Sequence, residues 1–273
     1  MPLARVDGID LNYRIDGDAR LPWLVLSNGL GLDLTMWEPQ LAALTSRFRV
    51  LRYDTRGHGA SSTPAHPATM EQLGRDMLAL LDQAGIARTH FCGFSIGGMI
   101  GMWLGIHAPQ RIDRLVLAHT AAHIGPTSMW DERIATVDLH GMQAISDAAM
   151  RRWFTTEFIA REPGVVDELQ RAMERNSPDG YVRCCAAIRD ADFRGVLAGI
   201  HLPTLILSGA QDAATTPFDA EFLAHRIAGA RAVEIDAAHL SNFEKPGEFT
   251  DALHGFLGAM PTTHDAAQRA HSG

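Results

Sequence analysis

Apolar residues in this chain come in short runs set apart by longer amphipathic stretches. The runs are WLVLSN from Trp23, FRVLRYD from Phe48, THFCGFS from Thr89, DRLVLAHT from Asp113, PTLILSG from Pro203 and ARAVEID from Ala230. Most are rich in Val, Ile and Leu and too short for buried helices, so they predict strands covered on both faces. Between them, Met70–Ala84, Ile96–His107, Phe218–Ile227 and Pro246–Gly258 carry apolar residues at helical spacing. Alternation of this kind predicts an α/β fold, a mostly parallel sheet flanked by helices. Ahead of the first run, ARV and IDLNYRI flank Asp7–Gly8, and an Asp-Gly pair in that setting predicts a hairpin.

The rhythm breaks over residues 122–191, which hold helical pattern with Trp, Phe, Met and Arg but no convincing strand. A stretch of that length after the fourth parallel strand predicts a helical cap. Residues 1–121 and 192–260 then form the core and 122–191 the cap. The small, polar residues 261–273 predict a disordered tail. There is no internal repeat.

Composition narrows the function classes. The chain has 273 residues, 46% apolar and 21% charged, ordinary values for a globular protein with a sizeable core. A net charge of −8 without Lys/Arg runs argues against nucleic acid or an anionic membrane as partner. No apolar stretch approaches the ~20 residues of a membrane span, and the N-terminus lacks the basic-then-apolar pattern of a signal peptide. Cys92, Cys184 and Cys185 are odd in number and without CxxC spacing, so they predict reduced thiols in a cytoplasmic protein. Neither a metal nor a cofactor is expected. The expected partner is a small-molecule substrate, and self-association stays open.

The chemistry starts at FCGFSIGG, residues 91–98, where one serine stands between glycines after a predicted strand and before a predicted helix. That context fits a G-x-S-x-G nucleophile elbow, in which Gly93 and Gly97 permit a sharp turn that displays the Ser95 hydroxyl. A serine needs a base, and the base needs an orienting acid. In this architecture they follow in the order Ser, Asp, His. LILSGAQDAATTP places Asp212 just after a late strand, and VEIDAAHLSNFEKP places His239 after the last one. Asp219 and Asp236 are rivals, but one falls in the next helix and the other at a strand end. Of the 13 histidines, His107, His225 and His254 sit in helical pattern, and His58 reads as a structural loop residue. His119 and His123 stand near a strand's carboxyl end, where they are expected to line the pocket without being the base. Two backbone donors are expected for the oxyanion: the N–H of Ile96, and that of Leu30 in the loop SNGLGLDLTMW.

These residues resemble the α/β-hydrolase superfamily across about residues 3–258, carried by SNGLG, DTRGHGAS, GFSIGG, GAQDAATTP and AAHLSNFEKP. Asn28–Gly29 replaces the frequent His-Gly start of the oxyanion loop. Within the superfamily the chain is similar to 3-oxoadipate enol-lactonases of aromatic-compound catabolism, through YRIDG, LSNGLGLDLTMW, VLRYDTRGHG and RRWFTTEF. The resemblance implies hydrolysis of a small anionic enol-lactone through an acyl-enzyme on Ser95. A substrate carboxylate then needs a local cation. The cap offers Arg133, one helical turn after Trp130, and Arg152 beside Trp153. Arg133 and Trp153 are the expected substrate-binding residues. Two other readings stand beside this one: a general carboxylesterase or cofactor-free perhydrolase for neutral esters, and a ligand sensor that keeps the fold.

Overall fold

Asp7 and Gly8 turn the chain with φ of +46° and +83°. The strands on either side, β1 (Leu3–Val6) and β2 (Ile9–Asp16), pair antiparallel with Val6 opposite Ile9. The structure, a computed structural model, describes residues 3–63, 66 and 68–258. The tail expected over 261–273 lies outside the described residues.

The six apolar runs form β3 (Trp23–Ser27), β4 (Arg49–Tyr53), β5 (Thr89–Phe94), β6 (Ile112–Ala118), β7 (Thr204–Gly209) and β8 (Arg231–Ile235). All eight strands join one sheet in the order β1-β2-β4-β3-β5-β6-β7-β8. Pairing is antiparallel between β2 and β4 and parallel from β4 onward. Strands β3 to β7 are buried along most of their length, but Arg231–Glu234 of β8 are exposed. Cover on both faces is therefore wrong for this last run. Among the described residues no strand lies beyond β8, which is the sheet's edge, and its charged residues suit an exposed margin.

The helices are α1 (Glu38–Leu44), α2 (Met70–Gln83), α3 (Ile96–His107), α4 (Thr127–His140), α5 (Gln143–Trp153), α6 (Thr156–Arg161), α7 (Pro163–Glu174), α8 (Pro178–Arg189), α9 (Pro217–Arg226), α10 (Ser241–Glu244) and α11 (Pro246–Leu257). Their starts follow local chemistry. The Thr69 hydroxyl accepts the Gln72 N–H ahead of α2, and α9 opens on Pro217 inside a Thr216–Asp219 capping box.

From β3 the chain crosses to β4 in one direction along the sheet, then passes through β5 and β6 in the other. Right-handed crossovers put α1 on one face and α2 and α3 on the opposite one. Accordingly α1 packs on α11, and α2 on α3. The reversal lies between β3 and β5, and the crevice at their carboxyl ends is where such sheets bind ligands.

Between β6 and β7 the chain runs through α4 to α8 without a strand. There α4 packs on α8 and α5 on α7 around buried Trp130, Met150 and Met173. Asn176 ties this layer down: its amide donates to the Gly31 carbonyl (2.8 Å) and its oxygen accepts the Gly59 N–H (2.9 Å). Among the described residues no helix is long and apolar enough to cross a membrane.

Candidate active site

Ser95 joins β5 to α3 with φ +55° and ψ −115°, a conformation costly for a residue with a side chain. The glycines on either side explain how the turn closes. A Cβ on Gly93 would collide with the Gly97 carbonyl, and one on Gly97 with the Ser27 carbonyl of β3. The neighbouring strand holds the turn as well. Ser95 N–H donates to Ala118 O (2.9 Å), and its carbonyl accepts from the Thr120 hydroxyl (2.7 Å).

Asp212 lies in the turn after β7, where its Oδ1 accepts the N–H groups of Ala214 (2.7 Å) and Thr215 (3.0 Å). Oδ2 accepts from His239 Nδ1 (2.7 Å), His119 Nδ1 (3.0 Å) and the Thr215 hydroxyl (3.0 Å). The side chain is fully buried. Burial by itself pushes the Asp212 carboxyl up. The charge of His239 and the hydrogen bonds from both histidines outweigh it, holding the group well below the usual carboxylate range. His239 faces Asp212 through Nδ1, so its Nε2 is turned to the cavity side. The loops that carry Asp212 and His239 are also joined by main chain, through Gln211 N–H to Ala237 O (3.0 Å).

Ser95 and His239 line one narrow cavity of ≈ 50 Å³, together with Gly29, Leu30 and, from the helical layer, Met129, Trp130, Arg133, Arg152 and Trp153. A larger groove of ≈ 640 Å³ around Phe158, Leu169 and Phe243 shares no lining residue with it, so size does not mark the site. Of the two expected oxyanion donors, Leu30 is on the cavity wall, and Ile96 is the first residue of α3, whose N–H has no intrahelical acceptor. The Asn28 substitution in this loop has a structural account: its amide donates to Tyr53 O (2.7 Å) and its oxygen accepts the Trp37 indole N–H (2.8 Å). The loop is thus clamped from both sides without a histidine.

Arg133 and Trp153 both reach the cavity, and so does Arg152, which the sequence placed second. Arg133 lies over the Trp130 ring at 5.1 Å, and Arg152 Nη2 donates to Ala213 O at 3.0 Å. Among the described residues neither arginine forms an ion pair with a carboxylate. Burial, then the nearby charge of Arg133, lowers the affinity of Arg152 for its proton, so the wall carries two cations that repel one another.

The rival residues are occupied elsewhere. Asp219 accepts the Thr216 N–H in its capping box, and Asp236 accepts from Gln211. His225 Nδ1 lies 2.8 Å from Glu221 O, His123 Nδ1 lies 3.1 Å from Ala191 O, and His58 Nδ1 lies 3.2 Å from Arg56 O. His119 departs from its expectation. It is fully buried behind Asp212, and neither it nor His123 is part of the cavity wall. The signal for it was its position just past β6, the strand beside β7, which brings residue 119 against the turn that carries Asp212.

His119, Asp212 and His239 also have ligand-type atoms within 4.8 Å of one another, close enough for a metal ion. Both Nδ1 atoms are already hydrogen-bonded to the carboxylate, and we assign no metal to the cluster.

The model of the alpha/beta hydrolase fold family matches residues 22–143. The chain is 42% identical to 3-oxoadipate enol-lactonase 2 of Acinetobacter baylyi, over 91% of this chain and 93% of the relative. It is 38% identical to 3-oxoadipate enol-lactonase 1 of the same organism, over 92% and 94%. Among solved structures, an enol-lactonase from Burkholderia xenovorans LB400 superposes with a TM-score of 0.93 at 47% identity, over 94% of this chain and all of that one.

Proposed function

The chain belongs to the α/β hydrolase superfamily and is a carboxylic ester hydrolase, and from that premise we propose that it converts 3-oxoadipate enol-lactone to 3-oxoadipate through an acyl-enzyme on Ser95. The observation that carries the reading is the pair Arg133 and Arg152 on the wall of the cavity that holds Ser95 and His239. Both arginines are half-buried and neither has a carboxylate partner among the described residues, so together they offer an anion a local positive charge that the chain's net charge of −8 does not. The enol-lactone brings a free carboxylate. Relatives named as 3-oxoadipate enol-lactonases support the same substrate.

In this reading His239 Nε2 takes the Ser95 hydroxyl proton as Oγ attacks the lactone carbonyl. Asp212 holds the imidazole by Nδ1 and stabilises its charged form. Charge builds on the carbonyl oxygen, and the N–H groups of Leu30 and Ile96 receive it. The ring C–O bond then breaks and leaves an enolate, a far better leaving group than an alkoxide. It takes up the proton that His239 removed from Ser95, which returns the imidazole to its neutral form, and tautomerises to the ketone, still attached through the acyl group. A water deprotonated by His239 attacks the acyl carbon, and Ser95 regains its proton as the dicarboxylate departs. The narrow cavity suits a small planar ring. Three free, buried cysteines fit a cytoplasmic setting.

The test is a comparison of kcat/KM for the enol-lactone and for a neutral ester of similar size. The lactone is expected to win by about a hundredfold, the worth of two charge-assisted hydrogen bonds at ~1.5 kcal/mol each. Equal rates would instead assign the cavity to a general esterase or perhydrolase of neutral esters.

A further inference from the structure

We infer that His119 is a positioning residue that shares the Asp212 carboxylate with His239 and thereby sets how strongly Asp212 stabilises the protonated form of His239. The inference rests on His239 being the base, as proposed above.

The geometry is specific. Asp212 Oδ2 takes His239 Nδ1 at 2.7 Å and His119 Nδ1 at 3.0 Å. An ionised carboxylate only accepts, so both Nδ1 atoms carry hydrogen. The far nitrogen of His119 then accepts from the Ser241 hydroxyl at 2.6 Å, which fixes the tautomer. The result is a buried serine–histidine–aspartate chain standing behind the one that faces the cavity. His119 and Asp212 side chains have no exposure at all. The His119 ring stacks on Phe94 at 5.0 Å, and Phe94 meets His239 edge-on at 5.3 Å. His119 also holds φ at +48°, a strained conformation for a side-chain-bearing residue that persists only where its surroundings enforce it. Burial, ahead of the opposing hydrogen bond from Asp212, disfavours protonation of this histidine, so it donates as a neutral group.

A neutral donor on Oδ2 draws charge from the oxygen that faces His239. Without it the carboxylate is more negative and the imidazolium is held more tightly. The base then stays protonated to higher pH, and the acidic limb of the kcat/KM profile moves up. The other charged groups around His239 are Arg133 and Arg152 on the cavity wall and Glu244, which accepts the Ala238 N–H at 3.2 Å. The substitutions below leave all three in place.

The experiment is the pH dependence of kcat/KM on a small neutral aryl ester, which frees the result from the lactone assignment, with thermal melts as the check on folding. His119→Ala is expected to raise the acidic limb by about half to one pH unit, a three- to tenfold loss at low pH. His119→Asn places an amide N–H where Nδ1 stood and tolerates positive φ, so it is expected to return the limb to the wild-type position. Loss of rate in His119→Ala with an unmoved limb, or an Asn variant no better than Ala, overturns the inference. Should His119→Ala fail to fold, Ser241→Ala carries the test: a smaller shift in the same direction supports the inference and an unmoved limb overturns it. His239→Ala is measured alongside. Undiminished activity there sinks the functional reading itself, whereas lost activity with a motionless limb in the His119 variant sinks only the present inference.

Discussion

The amide N–H of Leu240, next to His239, donates to the carbonyl of Trp153 at 2.9 Å. Trp153 closes α5, so this bond fastens the helical layer to the loop of the proposed base. Glu244 adds three more: its carboxylate accepts Thr155 N–H (3.0 Å), the Thr155 hydroxyl (2.7 Å) and Ala238 N–H (3.2 Å). Arg152 meanwhile bonds Ala213, beside Asp212. Residues 152–155 are thus bonded to the loop of Asp212 and to that of His239, so the roof over the cavity is fastened to both.

Glu244→Ala removes the acceptor of three donors, two of them backbone. Loss of about 2–3 kcal/mol of stability is expected, which for a chain of this size lowers Tm by roughly 4–12 °C. At 25 °C, with the protein still folded, kcat/KM is expected to fall about tenfold, because a small misplacement of the base is costly. Melts and steady-state rates on the same preparation check both. Unchanged kcat/KM alongside a lowered Tm would make Glu244 a support for the fold alone.

Arg133→Met keeps the bulk over Trp130 and removes one charge from the cavity wall. KM for the enol-lactone is expected to rise about tenfold, the worth of one charge-assisted hydrogen bond at ~1.5 kcal/mol. KM for a neutral ester is expected to stay within about twofold. An equal rise for both substrates would mean that the side chain shapes the cavity without binding a carboxylate.

Much of this was legible in the chain, for stated reasons. Short β-branched runs and the Gly93–Gly97 spacing are local signals, and they mark the strands and the serine turn because backbone sterics act over a few residues. The order of strands placed residues 30, 95, 212 and 239 at one sheet edge. What the sequence could not carry was lateral. β8 reads like its neighbours because nothing local says that no strand lies beyond it. His119 reads as a pocket histidine because its contact with Asp212 spans 93 residues. Arg152 ranked behind Arg133 because helical spacing fixes a face only to within a turn, and it does not show that arginines from two different helices meet on one cavity wall.

Acid should weaken the fold through buried histidines. His58 is buried, and burial pushes its pKa down to about 4, a cost that its Arg56 carbonyl contact only partly offsets. In the unfolded chain it protonates near pH 6.5. Unfolding therefore takes up a proton between these values, so the stability is fully present above about pH 6.5 and is lost as pH falls toward 4. The slope is at most ~1.4 kcal/mol per pH unit for this one group. His119 shifts in the same direction. Urea melts at pH 7, 6 and 5 should show the decline, and His58→Gln should make it shallower. An identical slope in that variant would assign the acid sensitivity elsewhere.

Ser95 is the proposed nucleophile, and the hydrolysis rate of Ser95→Ala on 3-oxoadipate enol-lactone at neutral pH tests that role most directly. With folding verified by an unchanged melt, kcat is expected to drop by at least about 10⁴-fold, leaving only what binding and oxyanion donors supply. A variant that retains a tenth or more of the wild-type rate would contradict the acyl-enzyme and require that water attack the lactone unaided by this side chain.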